Sequence, residues 1–139
     1  MKNCFFEQGH IDTPLNDIGE KQAEIAGKAL ENVEFNRAYS SDLKRAHKTC
    51  QLILEQNKMS SVTANEIIQD DRIREQSMGN YENTAVIECI EMAKQAKIDP
   101  LEFCPGSTEN NKDVRNRTRE FIKSIISKVC NFFSTYPNT

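Results

Sequence analysis

The chain has 139 residues, 28% of them charged and 37% hydrophobic, and a formal net charge of −3. This length suits one domain, and the weakly acidic balance predicts no nucleic-acid or membrane partner. No apolar run approaches the roughly 20 residues that span a bilayer. The five cysteines include no CxxC, so the sequence predicts no zinc site or disulfide framework and favours the reducing cytoplasm.

The first predicted element is a helix in the stretch TPLNDIGEKQAEIAGKALEN, with Asn16 as its N-cap. Helical spacing predicts one buried face of six residues. These are Ile18, Gln22, Ile25, Ala26, Ala29 and Leu30.

A short strand over residues 35–41 and a second helix follow. Ser41 is the predicted cap of this helix, and Asp42 is expected in its first turn. The predicted buried face is Leu43, Ala46, His47, Cys50, Ile53 and Leu54. A lone helical histidine such as His47 is more often a hydrogen-bonded packing residue than a metal ligand.

The rest of the chain predicts a weak strand over 66–69, helices over 84–97 and 112–130, and an irregular tail over 131–139. The order of elements indicates an α/β protein. Two short strands do not make a stable sheet, so either further strands are hidden or the chain is part of a larger fold.

Two segments could carry chemistry. In YSSDLKRAHKT a strand ends where a helix begins, and Arg45 lies in the first turn. Helix N-termini and arginine forks bind anions, although a capped surface helix with a solvated arginine has the same pattern. In DDRIREQSMGNYEN a carboxyl group could serve as a general acid, or the segment could be a solvated loop. His10 has no partner at metal-ligand spacing.

Four patterns in order resemble the histidine phosphatase superfamily, the phosphoglycerate mutase-like fold. They are QGHIDTPLNDIGEKQAEIAGKAL, AYSSDLKRAHKTCQLIL, DDRIREQSMGNYEN and PGSTENNKDVRNRTREF. The likeness is greatest to sugar phosphatases of the fructose-2,6-bisphosphatase type. Such enzymes transfer phosphate to a histidine nucleophile, which splits one difficult step into two.

The resemblance implies roles for four residues. Arg45 falls on a phosphate-binding arginine, Glu75 on the acid/base glutamate, and Gln8 and Gly9 on a substrate loop. Asp70 and Arg72 are assigned structural roles. The implied ligand is a small phosphorylated sugar, and no metal or cofactor is expected.

The departures from the family pattern are equally informative. No Arg-His-Gly segment occurs, the family's second histidine has no counterpart, and the glutamate of the P-G-G-E turn is missing or displaced to Glu109. The expected fold is therefore a partial three-layer sandwich over residues 1–130, without the first strand and the C-terminal strands. We expect this chain to be inactive and truncated at both ends. The alternative is a non-enzymatic module that binds a phosphorylated ligand or self-associates through an exposed sheet edge.

Overall fold

The computed structural model describes residues 8–99 and 109–135, with side chains as far as residue 130. The described residues form four helices and two strands, joined in part by short 3₁₀ turns. They are α1 (Asp17–Ala29), β1 (Tyr39–Ser40), α2 (Lys44–Gln56), β2 (Ile68–Gln69), α3 (Val86–Ala96) and α4 (Asn111–Thr135). The turns are Ala64–Glu66, Asp71–Ile73 and Gly79–Tyr81.

The two strands form a small parallel sheet. Tyr39 lies opposite Ile68, and Ser40 lies opposite Gln69. The strands are shorter than predicted, since β1 covers two of the seven residues in 35–41. The α/β class is confirmed, and in the part of the chain that the structure describes the sheet has only these two strands.

Helix α1 begins as predicted, because the Asn16 side chain accepts a 2.8 Å hydrogen bond from the backbone N–H of Gly19. Its predicted buried face is wrong. Ile18 and Ile25 are 68% and 66% exposed, whereas Ala23 and Gly27 are buried. The cause is close packing on α2.

A Cβ atom on Gly27 would lie 2.8 Å from Gln56 Cβ and 3.0 Å from Ile53 Cα. The two helices therefore approach through the smallest residues of α1, and the larger apolar side chains turn outward.

Helix α2 starts later than predicted. Leu43 is its N-cap, with no capping side chain, and the first helical residue is Lys44. Ser41 and Asp42 are therefore outside the helix, which corrects the predicted cap. Leu43 is buried, as expected, and His47 Nδ1 lies 3.3 Å from the Ser40 hydroxyl, in agreement with a hydrogen-bonded packing role.

Helix α4 packs on the sheet through Phe121, which is 9% exposed. The ring of Tyr39 meets it edge-on, with centroids 5.5 Å apart, and the guanidinium of Arg72 lies 5.6 Å from its centroid. Helical spacing predicts a buried face of six residues on this helix, Val114, Arg117, Thr118, Phe121, Ile125 and Val129. This prediction is wrong at Val129, which is 43% exposed.

The helix continues to Thr135, so residues 131–135 are helical where an irregular tail was expected. The predicted loop over 100–108 and the end of the tail lie outside the described residues. Within the described ranges, no helix combines the length and apolarity that a bilayer crossing requires.

Candidate functional site

The candidate site is built around Arg45 in the first turn of α2. Its side chain is 17% exposed and makes three short hydrogen bonds. Nη1 donates to the backbone carbonyl of Ile11 at 2.7 Å, and Nη2 donates to the carbonyl of Gly9 at 2.8 Å. Nη2 also lies 2.9 Å from Glu75 Oε2. The structure thus brings together Arg45, Gly9 and Glu75, three of the four predicted site residues.

Gly9 holds the loop against Arg45 in a conformation that favours glycine. Its φ is +50°, in the left-handed region. A Cβ atom here would lie 2.6 Å from Glu82 Oε1, the atom that accepts a 2.8 Å hydrogen bond from the backbone N–H of His10. Gln8, the fourth predicted residue, is exposed, and its side chain accepts a hydrogen bond from Thr13 at 3.2 Å.

An acidic side chain already lies at the start of α2. Asp12 Oδ1 accepts a 2.7 Å hydrogen bond from the backbone N–H of Lys44, and Oδ2 lies 3.0 Å from Lys44 Nζ. The backbone hydrogen bond is the main reason that the pKa of Asp12 lies below its ordinary value. Sequence reasoning missed this cap, because the two residues are 32 positions apart.

The segment 8–12 therefore supplies oxygens to both parts of the predicted anion site. The carboxylate of Asp12 meets the helix N-terminus, and two carbonyls meet the Arg45 fork. These are the donors that a phosphate group would use, so an incoming phosphate must displace at least one of these oxygens.

Glu75 follows the turn Asp71–Ile73, and its side chain is 50% exposed. Its carboxylate contacts Arg45, while its backbone carbonyl accepts two hydrogen bonds of 2.9 Å, from His10 Nε2 and from Arg117 Nη2. The backbone is thus held from two sides while the carboxyl group reaches solvent. That combination suits a group that exchanges protons with a ligand.

The other arginines of this segment pair with acidic neighbours. Arg72 binds both oxygens of Asp70, at 2.8 and 2.6 Å. Arg74 binds both oxygens of Asp42, with Nε at 2.7 Å from Oδ1. Hydrogen bonds from the arginines are the main cause of the lowered pKa of each aspartate. The Asp70–Arg72 pair agrees with the structural role assigned to both residues.

A further pair, Glu109 with Arg117, joins α4 to the Glu75 segment. Arg117 Nε donates to Glu109 Oε1 at 2.6 Å, and Nη2 donates to Oε2 at 3.0 Å. The side chains are 16% and 18% exposed, and the hydrogen bond from Arg117 is the main cause of the lowered pKa of Glu109. Both residues lie in the family-like motif PGSTENNKDVRNRTREF, so the sequence indicated the two residues but not that they pair.

A cavity of about 180 Å³ opens on the Arg117 side of this segment. It is lined by His10, Asp71, Arg72, Arg74, Glu109 and Arg117. Arg45 and Glu75 are not among the lining residues, so the cavity and the candidate site are different places. No cluster of potential metal ligands occurs among the residues whose positions are described.

Residues 5–131 match the family described as the histidine phosphatase superfamily (branch 1). The match covers most of the chain, so the protein belongs to this superfamily. Within it, the chain is similar to the fructose-2,6-bisphosphatase TIGAR of Xenopus tropicalis, with 40% identity over 115 residues. That alignment covers 83% of this chain and 41% of the frog protein.

Two solved structures share the fold. A phosphoglycerate mutase from Bacillus anthracis superposes with a TM-score of 0.75 at 24% identity, over 91% of this chain and 62% of the mutase. A mycobacterial glucosyl-3-phosphoglycerate phosphatase in complex with inorganic phosphate has a TM-score of 0.68 at 25% identity, over 89% of this chain and 58% of the phosphatase. The phosphoglycerate mutase-like fold is thereby confirmed. The chain spans about two fifths to three fifths of the length of these proteins.

Proposed function

We propose that this chain carries the phosphate-binding part of a sugar-phosphate phosphatase. The main support is the contact of 2.9 Å between Glu75 Oε2 and Nη2 of Arg45, which lies in the first turn of α2. Arg45 would bind the phosphoryl oxygens, and Glu75 would protonate the leaving oxygen. The proposed ligand is a small phosphorylated sugar of the fructose 2,6-bisphosphate type, consistent with the name of the similar frog protein. Neither metal nor cofactor is needed.

The proposed chemistry depends on electrostatic stabilisation. A planar guanidinium matches two phosphate oxygens at once. Gly9 and Ile11 present their carbonyl oxygens to that fork at 2.8 and 2.7 Å, which are the distances of charge-assisted hydrogen bonds. When a phosphate group binds, Arg45 would therefore exchange these two neutral carbonyl acceptors for charged phosphate oxygens. Gln8 and Gly9 would then line the ligand from the displaced loop.

The nucleophile is not among these residues in our proposal. The 139 residues contain no Arg-His-Gly segment, and His10 Nε2 is 2.9 Å from the carbonyl oxygen of Glu75. While Nε2 donates to this carbonyl, that nitrogen carries the ring proton and has no lone pair with which to attack phosphorus. We therefore expect the 139-residue polypeptide to bind a phosphorylated ligand without hydrolysing it.

The test is to incubate the purified chain with fructose 2,6-bisphosphate and with an aryl phosphate, and to measure released phosphate. The expected result is no release by the wild type or by His10→Ala. Turnover that survives His10→Ala would show another nucleophile, and turnover lost in His10→Ala would show that His10 attacks phosphorus. Either result would contradict the proposed assignment.

A second candidate is a protein-interaction module. β1 pairs with β2 along one edge, and no strand covers its other edge within residues 8–99 and 109–135. Such an edge is a template for pairing with a second copy. Concentration-dependent association in sedimentation, with no response to phosphate, would favour this candidate. Melting temperatures that rise with phosphate in the wild type but not in Arg45→Ala would favour ligand binding.

We place the protein in the cytoplasm, without a nucleic-acid or membrane partner. The support is the odd number of cysteines without a CxxC spacing and the net charge of −3.

A further inference from the structure

The backbone around Glu75 converges on one side chain of α4. Arg117 Nη1 donates hydrogen bonds of 2.7 Å to the carbonyls of both Arg72 and Arg74. Arg117 Nη2 donates one of 2.9 Å to the carbonyl of Glu75 itself. Three carbonyls within four residues therefore point at a single guanidinium. An arginine fork can bind three acceptors in fixed directions, whereas the point charge of a lysine cannot hold this geometry.

Glu109 fixes the guanidinium from the other side. It accepts from Nε at 2.6 Å and from Nη2 at 3.0 Å. It also binds the segment beyond Glu75, since the backbone N–H of Ser77 donates to Oε2 at 3.1 Å and Gln76 Nε2 donates to the Glu109 carbonyl at 3.2 Å. Arg117 and Glu109 thus hold the segment both before and after Glu75.

The two side chains differ in their exposure to solvent. Arg117 is 16% exposed, whereas the side chain of Glu75 is 50% exposed. The half-exposed carboxylate of Glu75 is held by its contact with Arg45, and it can make that contact only if its backbone lies within reach. That backbone carbonyl is bound by Arg117 and by His10, both at 2.9 Å.

We propose that Arg117 is a positioning residue, which holds the backbone of Glu75 so that its carboxylate reaches Arg45. The role of Glu75 as proton donor rests on the function proposed above, whereas the positioning by Arg117 is a property of this chain alone. Arg117 itself faces backbone carbonyls and Glu109 and is not a catalytic residue.

The experiment is side-chain NMR of the full chain labelled with ¹⁵N-arginine, with the Arg45 signals assigned by their loss in Arg45→Lys. Glu75→Gln should shift the Arg45 signals, because it removes the charge 2.9 Å from Nη2. Arg117→Gln should produce most of that shift by itself, and Glu75→Gln added to it should change little more. Arg119→Gln, with the same loss of charge on the exposed face of α4, should leave Arg45 unchanged.

The proposal is overturned if Arg117→Gln leaves the Arg45 signals in place and the Glu75→Gln shift at full size. If Arg117→Gln does not fold, Glu109→Gln and Arg117→Lys are measured in its place. Each should shift the Arg45 signals in the same direction but by less, and unchanged Arg45 signals in both would overturn the proposal. Inorganic phosphate is then titrated into the wild type. Arg45 signals that ignore phosphate would refute the proposed function, while the dependence of Arg45 on Arg117 would still stand.

Discussion

Replacing Gly9 by alanine should release the loop that now covers Arg45. Gly9 has a φ of +50°, and a left-handed conformation costs an ordinary residue roughly 1–2 kcal/mol. The new Cβ would also lie 2.6 Å from Glu82 Oε1. Glu82 can move, but it then loses its hydrogen bond of 2.8 Å to the N–H of His10. A hydrogen bond to a charged group contributes about 1.5–3 kcal/mol.

The two effects together predict that Gly9→Ala lowers the free energy of unfolding by about 2.5–5 kcal/mol. Urea unfolding followed by circular dichroism measures this difference. Gly79→Ala is the matched control, because Gly79 also has a positive φ, of +54°. The control should cost only the conformational strain, about 1–2 kcal/mol.

If Gly9→Ala costs no more than Gly79→Ala, the contact with Glu82 does not hold the loop against Arg45. The functional consequence is checked on the same protein. A released Gly9 carbonyl leaves one N–H of Arg45 Nη2 without its acceptor, so Gly9→Ala should bind inorganic phosphate more tightly than the wild type does.

Three other expectations follow from single contacts. The pKa of Glu109 is lowered in the folded protein, so the unfolded chain protonates this carboxylate at a higher pH than the folded protein does. The stability that the Glu109 carboxylate contributes is complete above the ordinary pKa of 4.5 and should be lost as the pH falls through the folded pKa. Urea unfolding at a series of pH values measures this loss. Gly27→Ala should destabilise the chain by about 1–3 kcal/mol, because the new Cβ would lie 2.8 Å from Gln56 Cβ. An unchanged midpoint of urea unfolding would contradict the close packing of α1 on α2. Tyr39 Oη is buried without a hydrogen-bond partner among the described residues. Tyr39→Phe should therefore keep the edge contact with Phe121 and raise the free energy of unfolding by about 1 kcal/mol. A lower melting temperature of this variant would indicate that the hydroxyl has a partner.

The elements of the chain could be predicted well from sequence because their signals are local. Asn16 caps α1 through a neighbour three residues away, and helical periodicity located all four helices. The buried face of α1 could not be predicted, because it depends on where α2 approaches. Gly27 allows an approach that excludes larger side chains, and this turns Ile18 and Ile25 towards solvent.

The site shows the same division between local and distant information. Family-like motifs identified Arg45 and Glu75 separately, and the structure places them in contact. The partners that hold them come from elsewhere in the chain. Asp12 reaches Lys44 across 32 positions, and Arg117 reaches the Glu75 carbonyl across 42. No spacing rule links such distant residues, so only their types could be noticed in advance.

The hydrogen-bond partners of the arginines could not be predicted from the sequence either. Five charged residues crowd the stretch 70–75, which resembles a solvated loop. In the structure Arg72 and Arg74 are both bound to aspartates, while Arg45 is bound mainly to neutral carbonyls. An arginine whose acceptors are mostly neutral can exchange them for a charged ligand, which distinguishes Arg45 from Arg72 and Arg74.

The most direct test of the account is calorimetric titration of the chain with fructose 2,6-bisphosphate. The wild type and the exposed control Arg119→Gln should bind the ligand with the same affinity. Arg45→Gln removes charge-assisted hydrogen bonds of about 1.5–3 kcal/mol each, so its affinity should fall by roughly tenfold or more. Equal affinity in Arg45→Gln and wild type would contradict the assignment of Arg45 as the phosphate-binding residue.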